Sequence, residues 1–194
     1  MSHDEVSRRV FGVTHATLVR RILATFDRAS KSDVESGARW YDDATALAIA
    51  LSAHVDGSLE RAAAVVAALS PRTSWARNVA GATALLTVGP TAARRLGCIG
   101  RNVETAQRAK RDGFAAINGL KTSAFARNIA GDREAVTVDV WAMRVVGLDE
   151  NLLSRVGAYD AVAHAYRLAA RRRGVDPATM QATTWVVARN GRAS

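Results

Sequence analysis

Asn118-Gly119-Leu120-Lys121-Thr122 and, further along, Val136-Thr137-Val138-Asp139-Val140-Trp141 decide how this chain is read. In both stretches a turn opens a helix. Asn118-Gly119 permits a tight turn, and Lys121 then falls in the first turn of the helix behind it. Asp139 precedes Val140, Trp141, Met143 and Val145 as an N-cap, its carboxylate placed to accept from the backbone N–H groups that a helix start leaves unpaired. Lysine and aspartate stand 18 positions apart.

Working outward, the pattern is helical nearly throughout. Thr14 can cap a helix carrying Leu18, Ile22, Leu23 and Phe26 on one face. Asp42 or Asp43 can cap the next, with Leu47, Ala48 and Leu51. Ser58 opens a run through Val65, Val66 and Leu69 that Pro71 stops. Thr73 or Ser74 starts a helix through Trp75, Val79, Ala82 and Leu86, closed by Gly89-Pro90. A short piece covers Thr91 to Leu96. Asn102 can cap Val103 to Lys110, ended by Gly113. Lys121 to Ile129 ends at Gly131-Asp132, and Asp139 to Val146 at Gly147. Tyr159, Val162, Ala163, Tyr166, Ala169 and Ala170 form one apolar stripe. Asp176-Pro177 starts the last helix, which runs to about Arg189. Ala135 to Val138 reads as an extended connector. The fold expected is all-α: one domain over 1–194 made of two helical lobes with a helix–hairpin–helix and a central cleft.

Composition narrows the function. Of 194 residues 48% are hydrophobic but only 6% aromatic, so small side chains must pack helices closely. The net charge is +9 and the isoelectric point about 10.9. Lysine occurs only at Lys31, Lys110 and Lys121; the other basic residues are arginines, whose forked guanidinium suits phosphate oxygens. A G+C-rich genome would favour the same bias, and the composition fits a bacteriophage or actinobacterial source. Arg171-Arg172-Arg173 suits a solvated helix C-terminus as well as a phosphate. DNA is the partner expected. Cys98 is the only cysteine, which excludes an internal disulfide and any four-cysteine cluster. His3, His15, His54 and His164 are scattered without metal-ligand spacing. No metal and no cofactor is expected, nor a membrane: the N-terminus lacks an apolar signal core and no apolar run reaches spanning length. A cytoplasmic monomer is the expectation.

One amine and one carboxylate at helix starts suit chemistry at a sugar carbon. A lysine in the first turn meets the positive end of the helix dipole, which disfavours its charged form, and a neutral amine is a nucleophile. A turn lysine in solvent is the ordinary alternative. Most helix-capping aspartates only cap, but an ionised, pinned carboxylate can also stabilise an oxocarbenium-like sugar as a base departs. Trp40-Tyr41, Trp75, Trp141 and Trp185 are candidates for stacking on an extruded base, though large aromatics in an alanine-rich protein also serve as core.

Gly119-x-Lys121-Thr122, Val138-Asp139 and Arg144-Val145, at this spacing, resemble the helix–hairpin–helix DNA glycosylase superfamily, the endonuclease III-like group. The resemblance implies that Lys121 attacks the sugar C1′ and that Asp139 is the essential carboxylate. Leu69-Ser70-Pro71-Arg72-Thr73 resembles the family turn whose polar side chain wedges into the duplex, a role that falls on Arg72; Asn78 also matches. Asn118, Gly119 and Thr122 at the hairpin are the further candidates to grip DNA, and Trp141 and Trp75, as aromatics, are the candidates to line the base pocket. The chain departs from the family in the first glycine and proline of the hairpin, in Val140-Trp141 after the aspartate, in a shorter stretch between Arg72 and Lys121, and in lacking the cysteines of an iron–sulfur cluster. The similarity covers Val66 to Leu86 and Phe114 to Val146. The implied activity is a DNA glycosylase with or without β-lyase activity. A phage-type transferase that hypermodifies DNA bases and a non-catalytic DNA-binding module are the alternatives.

Overall fold

The computed structural model describes residues 1–191. Its elements are α1 (His3–Val6), a π-helical turn (Ser7–Phe11), α2 (His15–Phe26), α3 (Lys31–Ser52), α4 (Leu59–Leu69), α5 (Trp75–Thr87), α6 (Pro90–Arg95) and α7 (Gly100–Asp112). A 3-10 turn (Gly113–Ala116), α8 (Leu120–Ile129), α9 (Val140–Val145), a second 3-10 turn (Glu150–Ser154), α10 (Ala158–Arg173) and α11 (Pro177–Arg189) complete the order. The described residues contain no strand: the protein is all-α. None of their helices is long and apolar enough to cross a membrane.

The chain divides into two compact units. One comprises Met1–Tyr41 together with the chain from Arg133 onward; the other is Asp42–Asp132. In the second unit α4 is the hub. Every residue from Ala62 to Leu69 is buried, so this helix is apolar on all sides, and α7 and α8 pack on it. Burial of Val65, Val66 and Leu69 contributes about 1.5–3 kcal/mol each. Small residues set the spacing: Gly81 of α5 faces Cys98 so closely that a Cβ would overlap the sulfur. In the first unit α2, α9, α10 and α11 pack around Leu18, Ile22, Met143, Tyr166 and Met180. Asp27, at the end of α2, forks onto Arg173 through Oδ1 to Nε (2.7 Å) and Oδ2 to Nη2 (2.5 Å). That guanidinium holds the Asp27 carboxyl below its usual range.

Two expected helix starts are corrected. Asp42 and Asp43 lie inside α3 rather than capping a helix. That helix opens at Ser30-x-x-Asp33, where Asp33 N–H donates to Ser30 Oγ (3.2 Å) and Ser30 N–H to Asp33 Oδ2 (2.8 Å), the reciprocal pattern of a capping box. Asn102 sits in the first turn of α7, buried, and its Nδ2 donates to the Pro71 carbonyl (3.0 Å). The amide therefore anchors the α4–α5 turn instead of starting a helix. Residues 135–138 form a connector without regular secondary structure; α2, α4, α5, α6, α8, α9, α10 and α11 lie within a residue or two of the expected bounds, whereas α1, the π turn and the two 3-10 turns are not among the expected elements.

Candidate functional site

The carboxylate comes from the first unit. Asp139 has extended backbone (φ −122°, ψ −172°) and caps α9. Its Oδ1 accepts from Trp141 N–H (3.0 Å) and Ala142 N–H (2.9 Å), bonds that favour the charged form. The connector before it is buried from Ala135 to Val138, and the Tyr159 hydroxyl clamps it, donating to the Val136 carbonyl (2.9 Å) and accepting from Val138 N–H (3.1 Å). The position of Asp139 is thus fixed by its own helix on one side and by α10 on the other.

Tyr41, Tyr159 and Tyr166 are the chain's three tyrosines, and the Asp139 charge pushes up the pKa of each, after the larger effect of burial. Tyr159 is raised to about 12. Tyr41, 2% exposed, donates to Gln181 Oε1 (2.9 Å) and is hydrogen-bonded by Thr137. Thr184 Oγ1 donates to the Gln181 carbonyl (3.0 Å) and lies 3.3 Å from the Tyr166 hydroxyl. The carboxylate therefore stands beside a buried set of hydroxyls and one amide. Trp141, half-buried, carries the Arg144 guanidinium over its ring at 4.4 Å, a cation–π contact that covers one face of a candidate stacking surface.

The second unit carries the amine. Gly119 (φ 103°) precedes α8, and no side chain caps that helix start. A Cβ at 119 would touch nothing, so glycine is needed for its backbone angle alone. Asn118, Gly119 and Lys121 are exposed and Thr122 is half-buried. Burial is therefore not a feature of the Lys121 amine. The hairpin from α7 to α8 is fastened by Glu60 of α4, whose Oε1 accepts from Phe114 N–H (2.9 Å). Gly113 (φ 59°) leaves room for that carboxylate, which a Cβ would overlap.

Arg72 is exposed at the tip of the α4–α5 turn. Thr73 N–H donates to the Ser70 carbonyl (3.1 Å), closing a four-residue turn with Arg72 at its third position in the left-handed region (φ 59°). That position ordinarily takes glycine. Trp75, three residues on, meets Phe125 of α8 edge-on. Arg72, Trp75 and the helix of Lys121 are thereby joined within one unit, whereas Asp139 and Trp141 belong to the other.

Asn78 differs from expectation. It is 1% exposed, and neither polar atom of its amide has a hydrogen-bond partner; a side chain so enclosed does not reach a phosphate, and its role is inside the fold. Sequence reading missed Tyr159, Thr137, Gln181 and Glu60. The α10 stripe places Tyr159 on a buried face, but periodicity does not reveal which backbone its hydroxyl reaches. His3, His15 and His164, far apart in sequence, come together in the first unit. Among the described residues no group of histidine, cysteine, aspartate or glutamate could hold a metal ion.

No match to the chain is found among curated proteins or among solved structures. Residues 4–192, nearly its whole length, match the model of a family of unknown function, DUF7178, and the chain belongs to that family.

Proposed function

We propose that this protein is a DNA-acting enzyme of the helix–hairpin–helix glycosylase type, which extrudes a nucleotide and breaks its glycosidic bond, with Asp139 as the essential carboxylate and Lys121 as the amine nucleophile. The observation that carries the reading is Asp139 itself: a carboxylate pinned by two backbone N–H groups of the helix it caps, at the end of a clamped buried connector. A fixed, charged acid is what a developing oxocarbenium ion needs, since preorganised charge costs no rearrangement when the bond breaks. Three features of the second unit support the reading. Gly119 opens α8 with an uncapped end facing solvent, suited to a DNA phosphate. Lys121 lies two residues on, in the first turn of that helix. Arg72 is held in a backbone conformation that costs an arginine about 1–2 kcal/mol, and such strain clusters at functional positions. On this reading the hairpin and a central cleft would receive the DNA, and a charge of +9 would aid its capture.

The test is mass spectrometry of nucleosides and strand ends after incubation with duplexes carrying varied modified bases. Free base with an abasic or cleaved strand is the expected product. Intact DNA carrying an enlarged base would replace this reading with the base-hypermodifying transferase. Inertness toward every duplex, with salt-sensitive binding retained, would leave a DNA-binding module.

A further inference from the structure

Three of the four histidines converge from three helices: His3 of α1, His15 at the start of α2 and His164 in the middle of α10. The His3 and His164 rings stack with centroids 3.9 Å apart and planes 12° from parallel. His15 Nε2 lies 3.0 Å from His164 Nδ1, and His15 Nδ1 lies 3.2 Å from Ser7 Oγ. The direction of this chain can be deduced. Ser7 spends its one hydroxyl proton on the His3 carbonyl (2.7 Å), so it must accept from His15 Nδ1–H. A neutral His15 then has a bare Nε2, which accepts from His164 Nδ1–H. Every link is satisfied with all rings uncharged.

Adding protons undoes that pattern. One proton can be shared across the His15–His164 contact if His164 moves its own proton to Nε2. A second would set two N–H donors face to face at 3.0 Å, against a stacked third ring. The surrounding charges do not offset this. From α1, Asp4 accepts the His15 backbone N–H (2.9 Å) but is also bound by Arg8 (2.8 Å), and Glu5 is engaged by the Ser2 N–H (2.6 Å). From α10, Arg167 and Arg171 add positive charge next to His164. Burial first, then the neighbouring cationic groups, hold both His15 and His164 below the ordinary imidazole value.

What the rings hold in place is a weak element. α1 has four residues and the π turn five, far too few to be stable alone. Their apolar anchors are Val6, seated on Gly157 at the start of α10, and Phe11.

We propose that His3, His15 and His164 form a proton-operated latch, which docks residues 3–11 on α2 and α10 when the rings are neutral and releases them when the cluster takes up protons. The sign follows from the lowered values. His15 and His164 bind protons more readily once the segment has left them than while it is docked, so docking is at full strength above about pH 6.5 and weakens as pH falls below it.

The test uses the full chain at pH 7.5 and pH 5.5. Hydrogen exchange, corrected for its intrinsic pH dependence, should rise at residues 3–12 by about tenfold or more at the lower pH, while the middle of α10 stays protected. Imidazole NMR titration should show His15 and His164 protonating below the ordinary imidazole value, with coupled curves. His164→Gln, whose amide can still donate to His15 without gaining charge, should flatten the pH dependence. Unchanged protection at residues 3–12, or His15 and His164 titrating independently at the ordinary imidazole value, overturns the proposal. Should His164→Gln fail to dock at pH 7.5, the wild-type titration decides alone.

Discussion

Trp75 meets Phe125 edge-on, their ring centroids 6.5 Å apart and their planes at 71°. The contact joins the start of α5 to α8, and it links two features that the sequence separates widely. Trp75 lies one turn beyond Arg72, and Phe125 one helical turn beyond Lys121 on the same face of α8. An edge-to-face pair contributes about 0.5–1.5 kcal/mol beyond its buried area. A double-mutant cycle with Trp75→Leu and Phe125→Leu, read by urea unfolding, is expected to give a coupling of about 1 kcal/mol. Strict additivity would mean that the Arg72 turn and the Lys121 helix are held independently.

Arg72 offers a separation of stability from function. Its left-handed backbone is strained for arginine and free for glycine. Arg72→Gly should therefore unfold at the same temperature as the parent or a few degrees higher, reflecting a gain of up to about 1 kcal/mol. If Arg72 enters the duplex, the same variant should lose at least about tenfold in processing of a flipped base, the cost of roughly 1.4 kcal/mol. Lower stability with intact activity would remove both the strain and the wedge.

Much of the helical pattern was legible because it depends on neighbours in sequence. The α10 stripe, the Asp176-Pro177 start and the Asp139 cap each announce themselves within a few residues. The errors occurred where two local signals competed. Asp42 and Asp43 look like a cap, yet Ser30 and Asp33 form the real capping box and Tyr41 and Ala44 continue one buried face. The polar chemistry was less legible for a different reason. His15 and His164 are 149 positions apart, and Tyr41 and Gln181 are 140 apart. No periodicity within a helix reports a contact made between helices, so the histidines looked scattered when three of them touch.

Asp139 has a structural role and a proposed chemical one, and two substitutions distinguish them. Asparagine caps helices about as well as aspartate, so Asp139→Asn should keep most of the stability while abolishing base release without loss of DNA affinity. Asp139→Ala removes the cap and should cost about 1 kcal/mol or more. Lys121→Gln should retain the fold, since residue 121 is exposed, and should prevent borohydride trapping of a covalent DNA adduct. Undiminished base release by Asp139→Asn would refute the assignment of the carboxylate, and an undiminished adduct with Lys121→Gln would take that amine out of the mechanism.

Gly37 carries a prediction of unusual sign. It lies inside α3, where alanine ordinarily stabilises a helix by about 1 kcal/mol relative to glycine. Here a Cβ would overlap the backbone and hydroxyl of Thr183 on α11. Both residues are buried, and backbone gives way less easily than a side-chain tip. Gly37→Ala is expected to destabilise by about 1–3 kcal/mol, as overpacking does. A rise in melting temperature would show that α3 and α11 can separate at no cost.

Tyr159→Phe tests how the connector holds Asp139. The substitution keeps the ring and deletes only the hydroxyl, so the apolar packing of α10 survives. What is lost is the group that donates to the Val136 carbonyl and accepts from the Val138 N–H. Both backbone groups lie in a buried segment, and leaving such groups unsatisfied costs about 1–3 kcal/mol. The loss should appear first as faster hydrogen exchange at 136–138, and only then as lower global stability. If Asp139 acts by preorganisation, base release should fall by about tenfold or more while binding of intact DNA is unchanged, because the clamp acts on the carboxylate's position rather than on any phosphate contact. Normal exchange at 136–138 in the variant would show that the core around Val136 and Val138 fixes the connector without the phenol.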